Sequence, residues 1–332
     1  MVFCTCWVGQ APGGSGNQVK EEENLYEWNE AVQRMIDWLE ANLQENPSLF
    51  RMAGQGGYSS YYCSVQFHRV TGMTIRSYLA GRRLAKAAIA LRDTPGRVID
   101  IALEYGYSSQ EALTRAFMAT FGCTPAVWRK APTPVPLLNA KVVFLPEHYQ
   151  DLYRGGESMS EFMLTDPHVR VEYIPAHKYI GIWDEKAADY PGFWEHHDCD
   201  RVCGIIESMR NVSHPVVTCH TAGWYWLNGT RRYFYGLGAP VEYEGPVPDG
   251  FEIREFPGSY YLVFFHPPFD YLKDCGEVMN RVERLAFHYD LQKQGHADNL
   301  QRYTWNEEAC QCYQRHYPEV LGYEVLRPIK PL

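Results

Sequence analysis

About a third of the way along the sequence, four polar side chains have functional groups that can hydrogen-bond to the edges of base pairs: Gln110, Glu111, Thr114 and Arg115. A glutamine amide can pair bidentately with adenine, an arginine guanidinium with guanine, and a glutamate can accept a hydrogen bond from the cytosine amine. Their spacing places them on one face of a helix. A helix that turns this face outward would present all four groups together.

These residues belong to the second copy of an internal repeat. The tetrapeptide Gly-Tyr-Ser-Ser occurs at Gly57–Ser60 and at Gly106–Ser109, each time after a short apolar helix and before a Phe and then a Gly. A small residue where two helices cross and a glycine in the turn are typical of a helix-turn-helix unit. The sequence therefore predicts two such units, with Ser59 and Ser108 as N-caps of their second helices.

In the first unit the outward side chains are less polar, and the candidates for contacts with bases are Tyr61, Ser64 and Val65. Tyr61 and Val65 can contact thymine methyl groups. Cationic side chains on or near the helix between the two units are candidates for contacts with phosphates, which supply affinity rather than specificity. These cations are Arg76, Arg82, Arg83 and Lys86.

The second unit resembles the signature of the AraC/XylS family of transcription regulators. The matching run is Ile101-Ala102-x3-Gly106-Tyr107-x5-Leu113-x-Arg115-x-Phe117-x4-Gly122-x-Thr124-Pro125-x2-Trp128-Arg129. The resemblance covers roughly residues 24–130 and implies an all-α N-terminal domain with two helix-turn-helix units. It further implies double-stranded DNA as a partner, with RNA polymerase as a second candidate. The first unit departs from the family, in which the first reading helix often carries Arg or Gln.

The distribution of charge divides the chain. The formal net charge is −9 over 332 residues, but residues 24–131 carry 12 Lys and Arg against 9 Asp and Glu, whereas residues 132–332 carry 18 against 28. A mildly basic segment followed by a strongly acidic one indicates two domains with different partners. We predict a tail at 1–23, an AraC-type DNA-binding domain at 24–131, a linker at 132–167 and a second domain at 168–332.

Localisation follows from what the sequence lacks. No apolar run approaches the roughly 18 residues that span a bilayer, and residues 1–10 contain no basic residue of the kind that begins a secretory signal. We therefore expect a cytoplasmic protein without a membrane partner. Its ten cysteines are then expected to be thiols rather than a disulfide framework.

The second domain combines short β-prone runs with helical stretches, in an order that occurs twice. It resembles the GyrI-like effector-binding domain through three segments: Val169-x-Val171-x-Tyr173-x-Pro175-Ala176-x2-Tyr179-x-Gly181, Phe251-Glu-Ile-x2-Phe256-Pro257-Gly258-x-Tyr260 and Tyr323–Ile329. The resemblance implies an α+β C-terminal domain of two β-α-β-β halves around a groove. It also implies a small-molecule effector.

The abundance of aromatic and acidic residues in this domain favours an organic, cationic ligand, because aromatic faces attract cations and a carboxylate neutralises them. The candidate ligand-binding residues are Trp183, Trp226, Tyr260, Phe264, Trp305, Glu308 and Glu324.

Two alternatives stay open. If residues 193–209 form one helix, His196, Cys199 and Cys203 share a face and could serve a metal- or thiol-redox-responsive regulator. An enzyme acting in the C-terminal pocket is the other alternative. The sequence contains no recognisable nucleophile–base pair, so we predict a regulator rather than an enzyme, with no cofactor and no bound metal.

Overall fold

The computed structural model describes residues 16–45, 60–143, 167–269, 271–292, 300–317 and 322–332. These residues form two compact units. The N-terminal unit contains the described residues up to 143 together with residues 198–211, and the C-terminal unit contains residues 167–197 and 212–332. Residues 46–59, which include the first helix and turn of the first predicted helix-turn-helix unit, lie outside the described residues.

Helices and strands follow one another along the chain. The helices are α1 (Gly16–Ala41), α2 (Ser60–Thr71), α3 (Ile75–Asp93), α4 (Val98–Glu104), α5 (Gln110–Phe121), α6 (Pro125–Lys130), α7 (Tyr190–His196), α8 (Cys199–Ser208) and α9 (Tyr271–His288). The strands are β1 (His168–Ile174), β2 (His177–Asp184), β3 (Cys219–Leu227), β4 (Thr230–Ala239), β5 (Glu252–Phe256), β6 (Ser259–His266), β7 (Tyr303–Trp305), β8 (Cys312–Tyr317) and β9 (Gly322–Pro331). Helix α1 begins inside the predicted tail.

The N-terminal unit is helical, as predicted, and holds two hydrophobic clusters. The first joins α1, α2 and the start of α3 around Phe67 and Tyr78. The second joins the rest of α3 to α4, α5 and α6 around Phe117 and Trp128. Helix α3 contributes to both clusters, because Ile75 and Tyr78 near its start are buried in the first and Leu84, Ala88 and Leu91 further along are buried in the second.

Helices α4 and α5 meet at a turn that only glycine suits. Gly106 has a φ of +77°, and a Cβ there would lie 2.9 Å from the guanidinium carbon of Arg83. Ser109 caps helix α5, because its hydroxyl accepts a hydrogen bond from Ala112 N at 3.2 Å. The prediction that Ser108 caps this helix was wrong by one residue, since both serines fit the sequence pattern.

Within its described residues, the C-terminal unit contains a nine-stranded antiparallel sheet in the order β1-β6-β9-β8-β3-β4-β2-β5, with β7 paired to β9. The predicted α+β class is confirmed. The strand order is symmetric. If β1–β4 are taken as one half and β5, β6, β8 and β9 as the other, corresponding strands of the two halves lie at equal distances from opposite edges of the sheet. The first strand of each half therefore pairs with the second strand of the other half, β1 with β6 and β5 with β2.

The single helix predicted for residues 193–209 is interrupted. Helix α7 ends at His196, His197 is extended, and the side chain of Asp198 accepts a hydrogen bond from Arg201 N at 3.1 Å to cap α8. Asp198 begins a new helix because its carboxylate satisfies a backbone N–H at the first turn. Helix α8 belongs to the N-terminal unit, although its sequence lies between strands of the C-terminal unit.

Candidate nucleic-acid interface

Helix α5 carries the polar face that the sequence predicts. Gln110, Glu111 and Arg115 are exposed, and Thr114 is half-buried with its hydroxyl donating to Gln110 O at 2.9 Å. On the opposite side of the helix Leu113 and its neighbour one turn later, Phe117, are fully buried in the second cluster. The buried face fixes the rotation of the helix, so the polar face points to solvent.

The first turn of this face is acidic. The hydrogen bond from the Ser109 hydroxyl, followed by smaller contributions that include the nearby charge of Arg115, lowers the pKa of the Glu111 carboxyl. Glu111 is therefore ionised at neutral pH. An ionised carboxylate accepts hydrogen bonds and repels phosphates, so it suits a cytosine amine and disfavours close approach to the DNA backbone.

Met118 is a neighbour that the sequence reasoning missed. Its side chain is 44% exposed and lies one turn after Thr114 and Arg115, on the same side of α5. The helical period of 3.6 residues that placed Arg115 also places Met118 there. An exposed thioether adds an apolar contact to the face, of the kind that suits a thymine methyl group.

Helix α2 presents an apolar outer face. Tyr61 is 79% exposed and Val65 42% exposed, while Cys63 and Phe67 are fully buried, as the pattern predicts. The side chain of Ser64 is half-buried, and its hydroxyl donates a hydrogen bond to Ser60 O at 2.9 Å. It therefore exposes less surface to a partner than Tyr61 does.

Three more side chains extend this face. Tyr62 packs edge-on against Trp28 of α1, with ring centroids 4.9 Å apart, which orients the first turn of α2. His68 and Arg69 are exposed in its last turn. The sequence reasoning named neither, although the period of the helix places both on the side of Val65.

Arg82 is not a phosphate ligand, and we correct that assignment. It is 5% exposed, and its Nε and Nη2 atoms each lie 2.7 Å from an oxygen of Glu40. A third guanidinium nitrogen donates to Leu138 O. This pairing could not be predicted from sequence, because the partner carboxylate lies 42 residues away on α1.

The other three predicted phosphate ligands differ in availability. Arg83 donates from Nε to Leu43 O at 2.8 Å and from Nη2 to Glu45 O, so its guanidinium is engaged within the unit. Arg76 is exposed and Lys86 half-buried. These last two side chains are the members of the predicted set that are at least partly accessible to solvent.

The predicted cation pocket of the C-terminal unit is not formed by the residues named for it. Glu324 is buried and pairs with Arg170 at 2.6 Å and Arg315 at 3.2 Å. The ring of Trp183 is covered by Arg254 at 4.0 Å, and that of Trp305 by Arg327 at 3.5 Å. Arginines of the protein itself already pair with Glu324, Trp183 and Trp305. We therefore do not assign these three residues to the binding of a cationic ligand.

The remaining predicted ligand residues are scattered. Phe264 is fully buried, with its ring centroid 5.1 Å from that of Tyr289. Glu308 is exposed, Trp226 is half-buried, and Tyr260 is 41% exposed. Phe264 was expected on the pocket wall but faces the core, because alternate strand residues lie on opposite faces of a sheet and the pattern alone did not say which face was covered.

A different carboxylate lies among aromatic rings. Glu283 of α9 accepts a hydrogen bond from Tyr323 Oη at 2.8 Å, and burial raises the pKa of its carboxyl despite that bond. Sequence reasoning passed over Glu283 because it sits in an ordinary amphipathic helix. A partly desolvated carboxylate in such a place is a common feature of binding sites.

Aromatic rings form a cluster around α7 and β4, and one of them, Tyr233, feels the nearby charge of Glu283. Trp194 lies 4.9 Å from Tyr235 and 5.7 Å from Tyr190, and Tyr190 lies 6.5 Å from Tyr233, measured between ring centroids. The buried indole N–H of Trp194 has no hydrogen-bond partner among the residues that the structure describes. The cluster therefore offers aromatic faces and one unused donor.

The histidine–cysteine cluster is divided between the two units. His196 Nδ1 and His197 Nε2 lie 2.7 and 3.0 Å from the same oxygen of Asp184 in the C-terminal unit. Cys199 and Cys203, with their sulfur atoms 3.6 Å apart, belong to the N-terminal unit. Within the described ranges, no group of three or more His, Cys, Asp or Glu is placed to hold a metal ion.

None of the described helices is long and apolar enough to cross a membrane.

Comparison with known proteins agrees with the helical interface. A family profile described as a helix-turn-helix domain matches residues 52–131. The right origin-binding protein of Escherichia coli K12 is 42% identical over 101 residues, which are 30% of this chain and 35% of that protein. The regulatory protein SoxS of Salmonella typhimurium is 35% identical over 98 residues, 30% of this chain and 92% of that protein.

The transposon Tn10 TetD protein of Escherichia coli is 38% identical over 99 residues, 30% of this chain and 72% of that protein. The chain thus spans nearly all of SoxS but only about a third of the right origin-binding protein. It belongs to the AraC/XylS family of DNA-binding transcription regulators.

Proposed function

We propose that α2 and α5 both enter the major groove on one side of the duplex, about one helical turn apart, so that a single chain covers one continuous site. The observation that carries this proposal is the outward face of α5, where Gln110, Glu111 and Arg115 are exposed above a fully buried Leu113. Arg115 pairs with guanine, Gln110 with adenine, and Glu111 with the amine of cytosine.

Helix α2 reads its half of the site through apolar contacts. The exposed ring of Tyr61 and the side chain of Val65 contact thymine methyl groups, and Ser64 contributes a weaker polar contact. Arg76 and Lys86, together with Arg69, neutralise phosphates and supply affinity that depends on salt. Specificity is therefore expected to be sharper in the half-site under α5.

The C-terminal unit senses a small organic molecule at the cluster around Glu283 and Trp194. Support comes from the resemblance of the sequence to GyrI-like effector-binding domains, the raised pKa of the Glu283 carboxyl and the unused indole donor of Trp194 among the described residues. This replaces the charged pocket predicted around Glu324 and Glu308. A ligand-responsive regulator also implies a cytoplasmic location and RNA polymerase as a partner.

Selection of bound sites from random duplex DNA tests the DNA-reading proposal. The full chain is expected to recover a single site with two blocks of preferred bases about 10 base pairs apart, centre to centre. The block assigned to α5 should include guanine opposite Arg115, and the Arg115→Ala variant should lose preference at that position alone. Recovery of one block, or of no preference, would contradict reading by both helices.

A further inference from the structure

The strap, residues 132–143, connects the two hydrophobic clusters of the N-terminal unit. It contains neither helix nor strand, yet Val135 and Leu137 are buried in the cluster formed with α5. Two later residues of the strap, Leu138 and Val143, pack against the cluster formed with α2. The strap therefore passes from one reading region to the other, beside α3.

Polar contacts hold the strap at the α2 end as well. Val143 N donates to Gln33 Oε1 of α1 at 2.8 Å, and Arg82 of α3 donates to Leu138 O. The side chain of Leu138 lies against Gly81, where a Cβ would come within 2.6 Å of Leu138 Cδ2. The strap thus forms a second connection between the clusters, in addition to α3.

Helix α8 lies directly on the strap. A Cβ at Gly204 would be 2.1 Å from Leu137 O and 2.7 Å from Leu137 N, so the two backbones touch. Near the end of the helix, Ser208 Oγ accepts a hydrogen bond from Val135 N at 3.1 Å. A glycine is required at this contact because any side chain would separate helix and strap.

Both ends of α8 are tied to the same unit. Arg92, near the end of α3, donates from Nη1 to Glu207 O at 2.9 Å and to Ser208 O at 2.8 Å, which satisfies carbonyls that the end of a helix leaves unpaired. Near the beginning of the helix, Asp200 pairs with Lys141 of the strap at 2.6 Å. Helix α8 therefore clamps the strap against α3.

We propose that the strap and α8 together act as a splint that fixes the distance and rotation between the reading helices α2 and α5, and so sets the spacing of half-sites that the protein accepts. The inference rests on the proposed reading of DNA by both helices. The family profile ends at residue 131, so the splint is an addition to the matched domain. Its helix is supplied by the chain between β2 and β3.

Without the splint, helix α3 would be the connection between the two clusters that carry α2 and α5. A single helix joining two small clusters can bend and twist slightly at low cost, whereas a second packed connection resists both motions. Rigid spacing restricts the protein to operators of one geometry, since a mismatch must be met by deforming the DNA.

The test measures affinity of the full chain for duplexes in which the spacing between the two selected half-sites is changed by −2 to +2 base pairs. Two added base pairs rotate one half-site by roughly 70° relative to the other, and we expect the wild-type affinity to fall about tenfold or more. Gly204→Ala, which must push α8 from the strap, should flatten this dependence to about threefold or less.

Gly276→Ala is the matched control, because it changes a helical glycine that has no atom within 4 Å of an added Cβ; its spacing profile should equal that of the wild type. Ser208→Ala, which removes the acceptor of Val135 N, provides a milder second variant if Gly204→Ala does not fold. A steep profile in both folded variants would overturn the splint. A flat profile in the wild type would also overturn the splint, whereas replacement of either half-site by unrelated sequence without loss of affinity would refute reading by both helices.

Discussion

The guanidinium of Arg82 and the carboxylate of Glu40 form a two-point ion pair inside the N-terminal unit, with both N–O distances 2.7 Å. Tyr78 donates a further hydrogen bond to the same carboxylate at 2.8 Å. The pair ties α1 to α3 within the cluster that supports α2. Arg82, which the sequence suggested as a phosphate ligand, therefore stabilises the packing of the N-terminal unit.

Arg82→Ala should lower the free energy of unfolding by about 3–5 kcal/mol, because it leaves a largely buried carboxylate without its charge partner. Urea unfolding of the full chain measures the loss. Arg34→Ala, which breaks the exposed pair with Glu30, should change stability by about 0.5 kcal/mol or less. Similar losses in the two variants would contradict the buried role of Arg82.

The same pair makes stability depend on acid. Burial alone would raise the pKa of the Glu40 carboxyl, but the hydrogen bond and charge of Arg82 outweigh it and leave the pKa below its ordinary value. The stabilisation is therefore present above the unfolded-state pKa of about 4.3 and is lost as pH falls through the lower pKa of the folded state. Unfolding measured between pH 7 and pH 3 should show this loss, and Glu40→Gln should reduce the slope.

Arg115→Ala should cost about 1–3 kcal/mol of binding energy on the selected site and remove the preference for guanine at one position. Binding to a panel of single-base variants of that site measures both effects. Arg76→Ala is the control, since loss of a phosphate contact weakens all sequences alike and lowers the salt slope by about 1. An equal loss of affinity for all sequences in Arg115→Ala would indicate that Arg115 contacts the DNA phosphates rather than a base.

Glu111→Gln should raise affinity for DNA in general and reduce discrimination in favour of cytosine. The ionised carboxylate repels phosphates, whereas the amide does not, and an amide can also donate to other bases. Affinity for the selected site and for a variant without that cytosine, measured at two salt concentrations, tests the prediction. Weaker binding to both sequences would indicate that Glu111 supports the helix rather than reads DNA.

Amphipathic aromatic cations should quench the tryptophan fluorescence of the chain with an affinity on the order of micromolar, and neutral isosteres should bind more weakly, because stacked cations gain roughly 0.5–2 kcal/mol per aromatic contact. Since burial raises the pKa of Glu283, cation binding should strengthen as pH rises through that pKa. Glu283→Gln should narrow the gap between the two ligands.

The exposed Glu308 supplies the control for this experiment, since Glu308→Gln removes the same charge outside the aromatic cluster. Its ratio of cation to isostere affinity should match that of the wild type. Equal binding of cations and isosteres by the unmodified chain would contradict a carboxylate-lined site.

The exposed polar face of α5 could be predicted from sequence because one helix carries both signals: Leu113 and Phe117 mark the buried side, and Arg115 lies opposite. Arg82 could not, because its neighbours on α3 are apolar on several sides and its partner Glu40 is distant in sequence. The period of a helix places side chains around its axis, but only packing decides which sides are covered.

In the C-terminal unit, too, some features could be predicted from the sequence and others could not. The segments of β1, β2, β5 and β6 are recognisable in the sequence as β-prone because they are rich in β-branched and aromatic residues. The hairpin of β3 and β4 was missed, although Asn228-Gly229 at its turn, with φ angles of 51° and 76°, is a strong hairpin signal. Membership of α8 in the N-terminal unit had no sequence signal, because it depends on the contact between Gly204 and Leu137.

The exchange of first strands between the halves of the sheet has a consequence for how the chain folds. Pairing β1 with β6 joins residues such as His168 and Phe265, so neither half can complete its sheet until most of the unit has been synthesised. Contacts between residues so far apart in sequence slow folding, because the loop must close before the pairing stabilises it. A ribosome-bound chain that ends before β6 would leave β1 without its partner strand.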